Sequence, residues 1–133
     1  MPFHCTKKKW LAVLTAVIVI LILAGSLMPM TDIPEQGKTV WDKIRSVIMN
    51  LMHVPMYGAL TLALLHYFDC IRFSRPVNAG ITAVVAITLG GFIEVLQTHV
   101  PGRYFSFSDI GLNAGGMAGA MVLFFRIRGK KGE

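Results

Sequence analysis

Seven side chains in this sequence have the types and spacing to act together. Glu94 and Gln97 stand three residues apart, His53 and Tyr57 four apart, and Asp109 and Asn113 four apart. On an α-helix each of these spacings puts both members of the pair on one face. Arg103 lies in the short stretch Pro101-Gly102-Arg103 between the Glu94 and Asp109 pairs. A carboxylate beside an imidazole or a second carboxyl can move a proton, and a guanidinium can hold an anion. Glu94, His53 and Asp109 are therefore the candidate catalytic residues, with Glu94 as general base and His53 or Asp109 as its partner. Arg103, Gln97, Asn113 and Tyr57 are the candidate ligand-binding residues. Arg103 would contact an anion and the other three would supply neutral hydrogen bonds.

Most of these residues also have an ordinary structural reading. Asp109, or Ser108 before it, could cap a helix, and Ser106 with Asp109 has the spacing of a capping box. Arg103 could clamp the loop to Glu94 or Asp109. Taken alone, His53 is a packed or interfacial histidine and Tyr57 an interfacial aromatic. Glu94 resists such a reading, because a carboxylate inside an apolar span needs a partner or a proton. No ligand-pair spacing links His53, Glu94, Asp109 and His99, so neither a metal nor a cofactor is expected.

The elements that carry these residues follow from hydropathy. The 133 residues are 54% hydrophobic and only 15% charged, with a mean hydropathy of +0.61. Such a composition excludes a disordered tail, a disulfide-rich secreted module and most cytosolic enzymes. Four apolar runs, about 10–28, 51–68, 77–97 and 109–125, are close to the roughly 20 helical residues that cross a bilayer. None alternates apolar with polar residues as a membrane strand would. The fold class is all-α: an integral membrane four-helix bundle, one domain over 1–133. Lys7, Lys8 and Lys9 before the first run would also open a signal peptide. The length of that run, and Ser26 where a lipoprotein signal has cysteine, favour a retained helix.

The thirteen basic residues, against seven acidic ones, give a charge of +6 and set an orientation. With the N-terminus inside, Lys7, Lys8, Lys9, Arg72, Arg75, Arg126, Arg128, Lys130 and Lys131 are cytoplasmic. Lys38, Lys43, Arg45 and Arg103 are then outside, so both termini are expected in the cytoplasm. The bilayer accounts for the positive charge, and no nucleic-acid partner is expected. Cys5 and Cys70 fall on the cytoplasmic side, where a disulfide is not expected, and read as bystanders. Between the first two spans, Thr31, Asp32, Pro34 and Gly37 mark a loop. From Val40 onward, Val40, Trp41, Ile44, Val47, Ile48 and Leu51 recur at helical spacing, which predicts an amphipathic helix on the outer surface. All three polar pairs then lie near the outer ends of their spans. Gly111, Gly115 and Gly119 form a small-residue face, with Gly116 beside it, for packing against the third span at Gly90 and Gly91 or for a homo-oligomer. Pro55 and Gly58 are expected to bend the second span.

The same residues resemble a known family. Glu94-Val95-Leu96-Gln97, Pro101-Gly102-Arg103, Ser106 to Asp109, and Asn113-Ala114-Gly115-Gly116 with Gly119 look like the closing motifs of the VanZ-like family. Ser26-Leu27-Met28-Pro29 is similar to the motif ending that family's first helix. Asn50, Pro55 and Gly58 resemble one branch and His53 with Tyr57 another, whose acid-lysine pair is replaced here by Met49 and Asn50. The resemblance implies a small, multi-pass protein of the bacterial cytoplasmic (inner) membrane, in a family named for a glycopeptide-resistance accessory protein. The expected function is binding of an outer-leaflet amphiphile: an envelope lipid, a cell-wall lipid intermediate or a lipoglycopeptide. The alternatives are a membrane enzyme acting on a lipid-linked group and a purely structural helix bundle.

Overall fold

The computed structural model describes residues 7–29 and 39–129. They form five helices: α1 (Lys8–Ser26), α2 (Val40–Leu51), α3 (His53–Cys70), α4 (Arg75–Gln97) and α5 (Phe107–Gly129). There is no strand among the described residues. Four helical stretches, α1, α2–α3, α4 and α5, are long and apolar enough to cross a membrane. The expected all-α membrane architecture is what the chain adopts. The turn residues Thr31, Asp32, Pro34 and Gly37 lie outside the described residues.

α2 begins at a capping box. Thr39 Oγ1 accepts the Asp42 backbone N–H at 3.3 Å, and the Thr39 N–H donates to Asp42 Oδ2 at 2.9 Å. Two helix-end donors are thus satisfied reciprocally. None of its residues is buried, and Trp41 is 77% exposed. Val40, Ile44, Val47, Ile48 and Leu51 are open as well, as on a helix lying at a bilayer surface. The break between α2 and α3 falls at Met52, and Pro55 and Gly58 sit within a continuous α3. The expected bend inside the span is therefore displaced to its entrance. Pro55 is the third residue of α3, where a missing N–H removes no intrahelical bond.

α3 is the central helix and packs against all the others. Tyr57, Leu60 and Leu64 meet Ile22 of α1 and Ile93 of α4, with Ile18, Val19, Leu23 and Leu89 around them. A second buried polar group lies further along: Asn78 Nδ2 donates to the Leu65 carbonyl at 2.9 Å, and Thr82 Oγ1 donates to Asn78 Oδ1 at 3.3 Å. At the far end, Arg128 of α5 pairs with Asp69 and lies over the Phe124 ring. Cys70 at that end is disulfide-bonded, against the expectation of a bystander thiol; Cys5 lies outside the described residues.

The glycine packing differs from expectation. A Cβ placed on Gly111, Gly115 or Gly119 would meet nothing within 4 Å. Gly116 makes the close approach instead, and to α3 rather than α4: its Cβ would stand 2.3 Å from the Val54 carbonyl oxygen. The reason lies in the buried stripe of α5, which is Asp109, Asn113, Gly116, Ala120 and Phe124. Gly111 and Gly115 are each two residues from Asn113, about 200° round the helix, and so face away.

Candidate functional site

The ends of α1 and α4 and the beginnings of α3 and α5 meet at one end of the bundle, and six of the seven candidate side chains are buried there. His53, Tyr57, Glu94, Gln97, Asp109 and Asn113 are each no more than 8% exposed, and Glu94 is fully buried. Arg103 lies beside them, half-buried in the α4–α5 loop. The convergence expected from sequence is therefore present, but its internal bonding differs from the expected one.

Arg103 does not clamp a carboxylate through a hydrogen bond. Its NH2 group donates to the Gly25 carbonyl at 3.1 Å and its Nε to the Met28 carbonyl at 3.3 Å. Gln97 Nε2 donates to the Ser26 carbonyl at 3.0 Å. The last carbonyls of a helix have no intrahelical partner, and Pro29 stops α1 from continuing. Two candidate ligand-binding residues thus direct donors to the end of α1. Gly102, at φ +74°, lets the loop turn back toward α1. Burial draws the Arg103 guanidinium down from its ordinary pKa, while Asp109 and Glu94 push it back up. The two acids therefore act on Arg103 through space. Arg103→Ala should destabilise the protein by about 1–3 kcal/mol, because the carbonyls at 25 and 28 lose a charged donor. Arg103→Lys should restore part of that loss, since an ammonium can serve one carbonyl but cannot span the pair as a guanidinium does. Melting temperature in detergent reads both effects.

Glu94 is divided between two roles. Its Oε2 accepts the Ser106 backbone N–H at 3.2 Å, which ties the mouth of α5 to α4. Its Oε1 is buried with no hydrogen-bond partner. Ser106 Oγ accepts the Asp109 N–H at 3.2 Å, so Ser106 caps α5 and neither Ser108 nor Asp109 does. In a complete capping box the Asp109 carboxylate would bond back to the Ser106 N–H. Glu94 takes that donor instead, and Asp109 Oδ1 is left buried and unpartnered. Glu94 and Asp109 are close enough to act on each other electrostatically.

His53 Nδ1–H donates to Asn113 Oδ1 at 2.9 Å, which bonds α3 to α5 directly. The His53 and Tyr57 rings lie nearly parallel, 6.4 Å apart. The Tyr57 hydroxyl has no partner and neighbours both Glu94 and Gly90. Gly90 packs closely there: a Cβ on it would approach Asn113 Nδ2 to 3.3 Å and the Tyr57 hydroxyl to 3.4 Å. Tyr57 and Asn113 also line a mostly apolar cleft of about 40 Å³. Its walls are Ala86, Ile87, Gly90 and Gly91 of α4 and Ile110, Ala114 and Met117 of α5. It lies between α4 and α5, two of the helices long and apolar enough to cross a membrane. No metal-binding group of three acids, histidines or cysteines occurs among the described residues.

Three residues of this site carry weight that spacing alone conceals: Gly25, Ser26 and Met28 act through main-chain carbonyls. Ser106 caps α5, as its spacing to Asp109 suggested. The end of α1 shortly before Pro29 is the sequence signal for these carbonyls, because a helix stopped inside a protein needs donors for its last turn.

A family model described as VanZ/LLP1 matches residues 4–128 of the chain. No curated protein and no solved structure matches it significantly.

Proposed function

The chain belongs to the VanZ/LLP1 family, and from that premise we propose that it binds a membrane amphiphile, whose headgroup enters the polar end of the bundle. An apolar segment of the ligand lies in the α4–α5 cleft. The observation that carries this reading is the cleft itself. Its lining is almost wholly apolar, and Tyr57 and Asn113 are its two residues with polar ends; the Tyr57 hydroxyl is buried and unpartnered. Ligand sites are mostly apolar with a few polar groups that fix orientation, and the lining of this cleft has that composition.

Filling the cleft tests the reading. Gly91 lines it, and a Cβ there would meet nothing within 4 Å. Gly91→Leu should therefore leave folding within about 0.5 kcal/mol of the parent, as for an open surface site. It should nevertheless reduce co-purifying lipid by about tenfold, the equivalent of about 1.4 kcal/mol in affinity. Native mass spectrometry of gently extracted protein measures the lipid. Unchanged retention by Gly91→Leu would remove the cleft from the argument.

The orientation is part of the same proposal. The nine-to-four division of basic residues supports a polar end that faces the cell exterior, with the termini in the cytoplasm. The disulfide at Cys70 pulls the other way, because a cytoplasmic thiol is normally reduced. Thiol labelling of single cysteines placed at 102 and 74 decides between them. Labelling of 102 from outside is the expected result, and labelling of 74 alone reverses the assignment.

The unpartnered Glu94 Oε1 favours a second reading, in which Glu94 is the general base of an enzyme acting on a lipid-linked group. His53 hydrogen-bonds Asn113 rather than either carboxylate. A relay from His53 to Glu94 is therefore not formed, and Asp109 is the better-supported partner in that scheme. Turnover of a lipid-linked substrate by the parent and not by Glu94→Gln distinguishes it from binding alone.

A further inference from the structure

The polar atoms left without partners at this end define the complement they need. Glu94 Oε1 and Asp109 Oδ1 are carboxyl oxygens, and the Tyr57 hydroxyl can accept as well as donate. Arg103 directs two of its N–H groups to the Gly25 and Met28 carbonyls, and Gln97 directs one to the Ser26 carbonyl, so none of these bonds serves the three unpartnered oxygens. Buried acceptors without donors are costly, and a buried carboxylate most of all. These three oxygens lack hydrogen-bond donors.

From this pattern we infer that the headgroup recognised here carries a primary ammonium, as in an aminophospholipid, and that Glu94 Oε1, Asp109 Oδ1 and the Tyr57 hydroxyl receive its three N–H groups. This rests on the amphiphile-binding reading above and replaces an anion on Arg103 as the recognised group. An ammonium supplies three donors and one positive charge, which is what two acid oxygens and a phenol oxygen lack. Tyr57 connects the parts of the site. It lines the cleft between α4 and α5, and on its other side it neighbours Glu94.

The discriminating comparison keeps charge and tail constant and removes only the donors. Full-length protein is reconstituted in an equimolar mixture of phosphatidylethanolamine, phosphatidylcholine and phosphatidylglycerol with identical acyl chains. Lipid retained after gentle extraction is then measured by native mass spectrometry. Phosphatidylethanolamine should be enriched about tenfold over phosphatidylcholine, and successive N-methylation should erode the preference stepwise. Glu94→Gln should abolish the enrichment. Asp109→Asn serves as the second variant if Glu94→Gln fails to accumulate, and the parent protein's choice among lipids needs neither. Equal retention of phosphatidylethanolamine and phosphatidylcholine overturns the inference. Enrichment of phosphatidylglycerol that Gly91→Leu removes also overturns it, while leaving the amphiphile-binding reading in place. Retention that responds to neither headgroup nor Gly91→Leu ends both.

Discussion

Replacing Gly116 with alanine is expected to separate α3 from α5 and to leave little folded protein in the membrane. The added methyl would stand 2.3 Å from the Val54 oxygen, 3.0 Å from the Val54 carbonyl carbon and 3.1 Å from its Cα. All three are backbone atoms, so no rotamer change relieves the overlap. Overpacking ordinarily costs about 1–3 kcal/mol where side chains can adjust. Here a helix must move, and the cost should reach or pass the top of that range. The displacement would also stretch the His53–Asn113 hydrogen bond, which joins the same two helices. Gly115→Ala is the control, because its methyl would meet nothing within 4 Å. Melting temperature and membrane accumulation should fall sharply for position 116 and hold for 115. Similar behaviour of the two would show that the α3–α5 approach is not as close as described.

That contrast also shows what the sequence could and could not convey. Helix number and approximate limits were legible, because sustained apolar runs leave few alternatives and Pro and Gly punctuate them. The convergence of His53, Glu94 and Asp109 was legible for a similar reason. Polar groups in an apolar span must face protein, and i, i+3 or i, i+4 spacing fixes their shared face. The packing face of α5 was misread from its glycines, although Asp109 and Asn113 mark the inward stripe and Gly116 continues it. The regular Gly111-Gly115-Gly119 series points the other way, because small residues permit an approach without requiring one. The partners of Arg103 and Gln97 were concealed for a different reason. They are main-chain carbonyls, and every residue has one. Only the fact that α1 ends at Ser26, shortly before Pro29, marks those carbonyls as needing donors. The buried Asn78–Thr82 pair went unread because asparagine and threonine near a helix start also suit ordinary solvated or lipid-headgroup positions.

Glu94→Gln and Glu94→Leu should separate the two halves of that side chain. One carboxyl oxygen accepts the Ser106 N–H and supports the start of α5, and the other is buried without a partner. A glutamine keeps the length and one acceptor oxygen, so the bond to Ser106 survives and folded protein should accumulate normally. Its NH2 group places a donor where the ligand, on the reading above, requires an acceptor. Ligand retention should therefore fall by about ten- to a hundredfold, as expected for a hydrogen bond involving a charged group. Leucine removes both functions. It leaves the Ser106 N–H without its acceptor at a part-buried position, which should cost about 1–3 kcal/mol and lower the melting temperature as well. A glutamine variant as unstable as the leucine variant would make Glu94 a structural post alone. A glutamine variant that retains ligand like the parent would show that the unpartnered oxygen faces nothing the protein binds. Loss of ligand with retained fold is the outcome that sets Glu94 apart from Arg103, whose removal should weaken the fold before it weakens anything else.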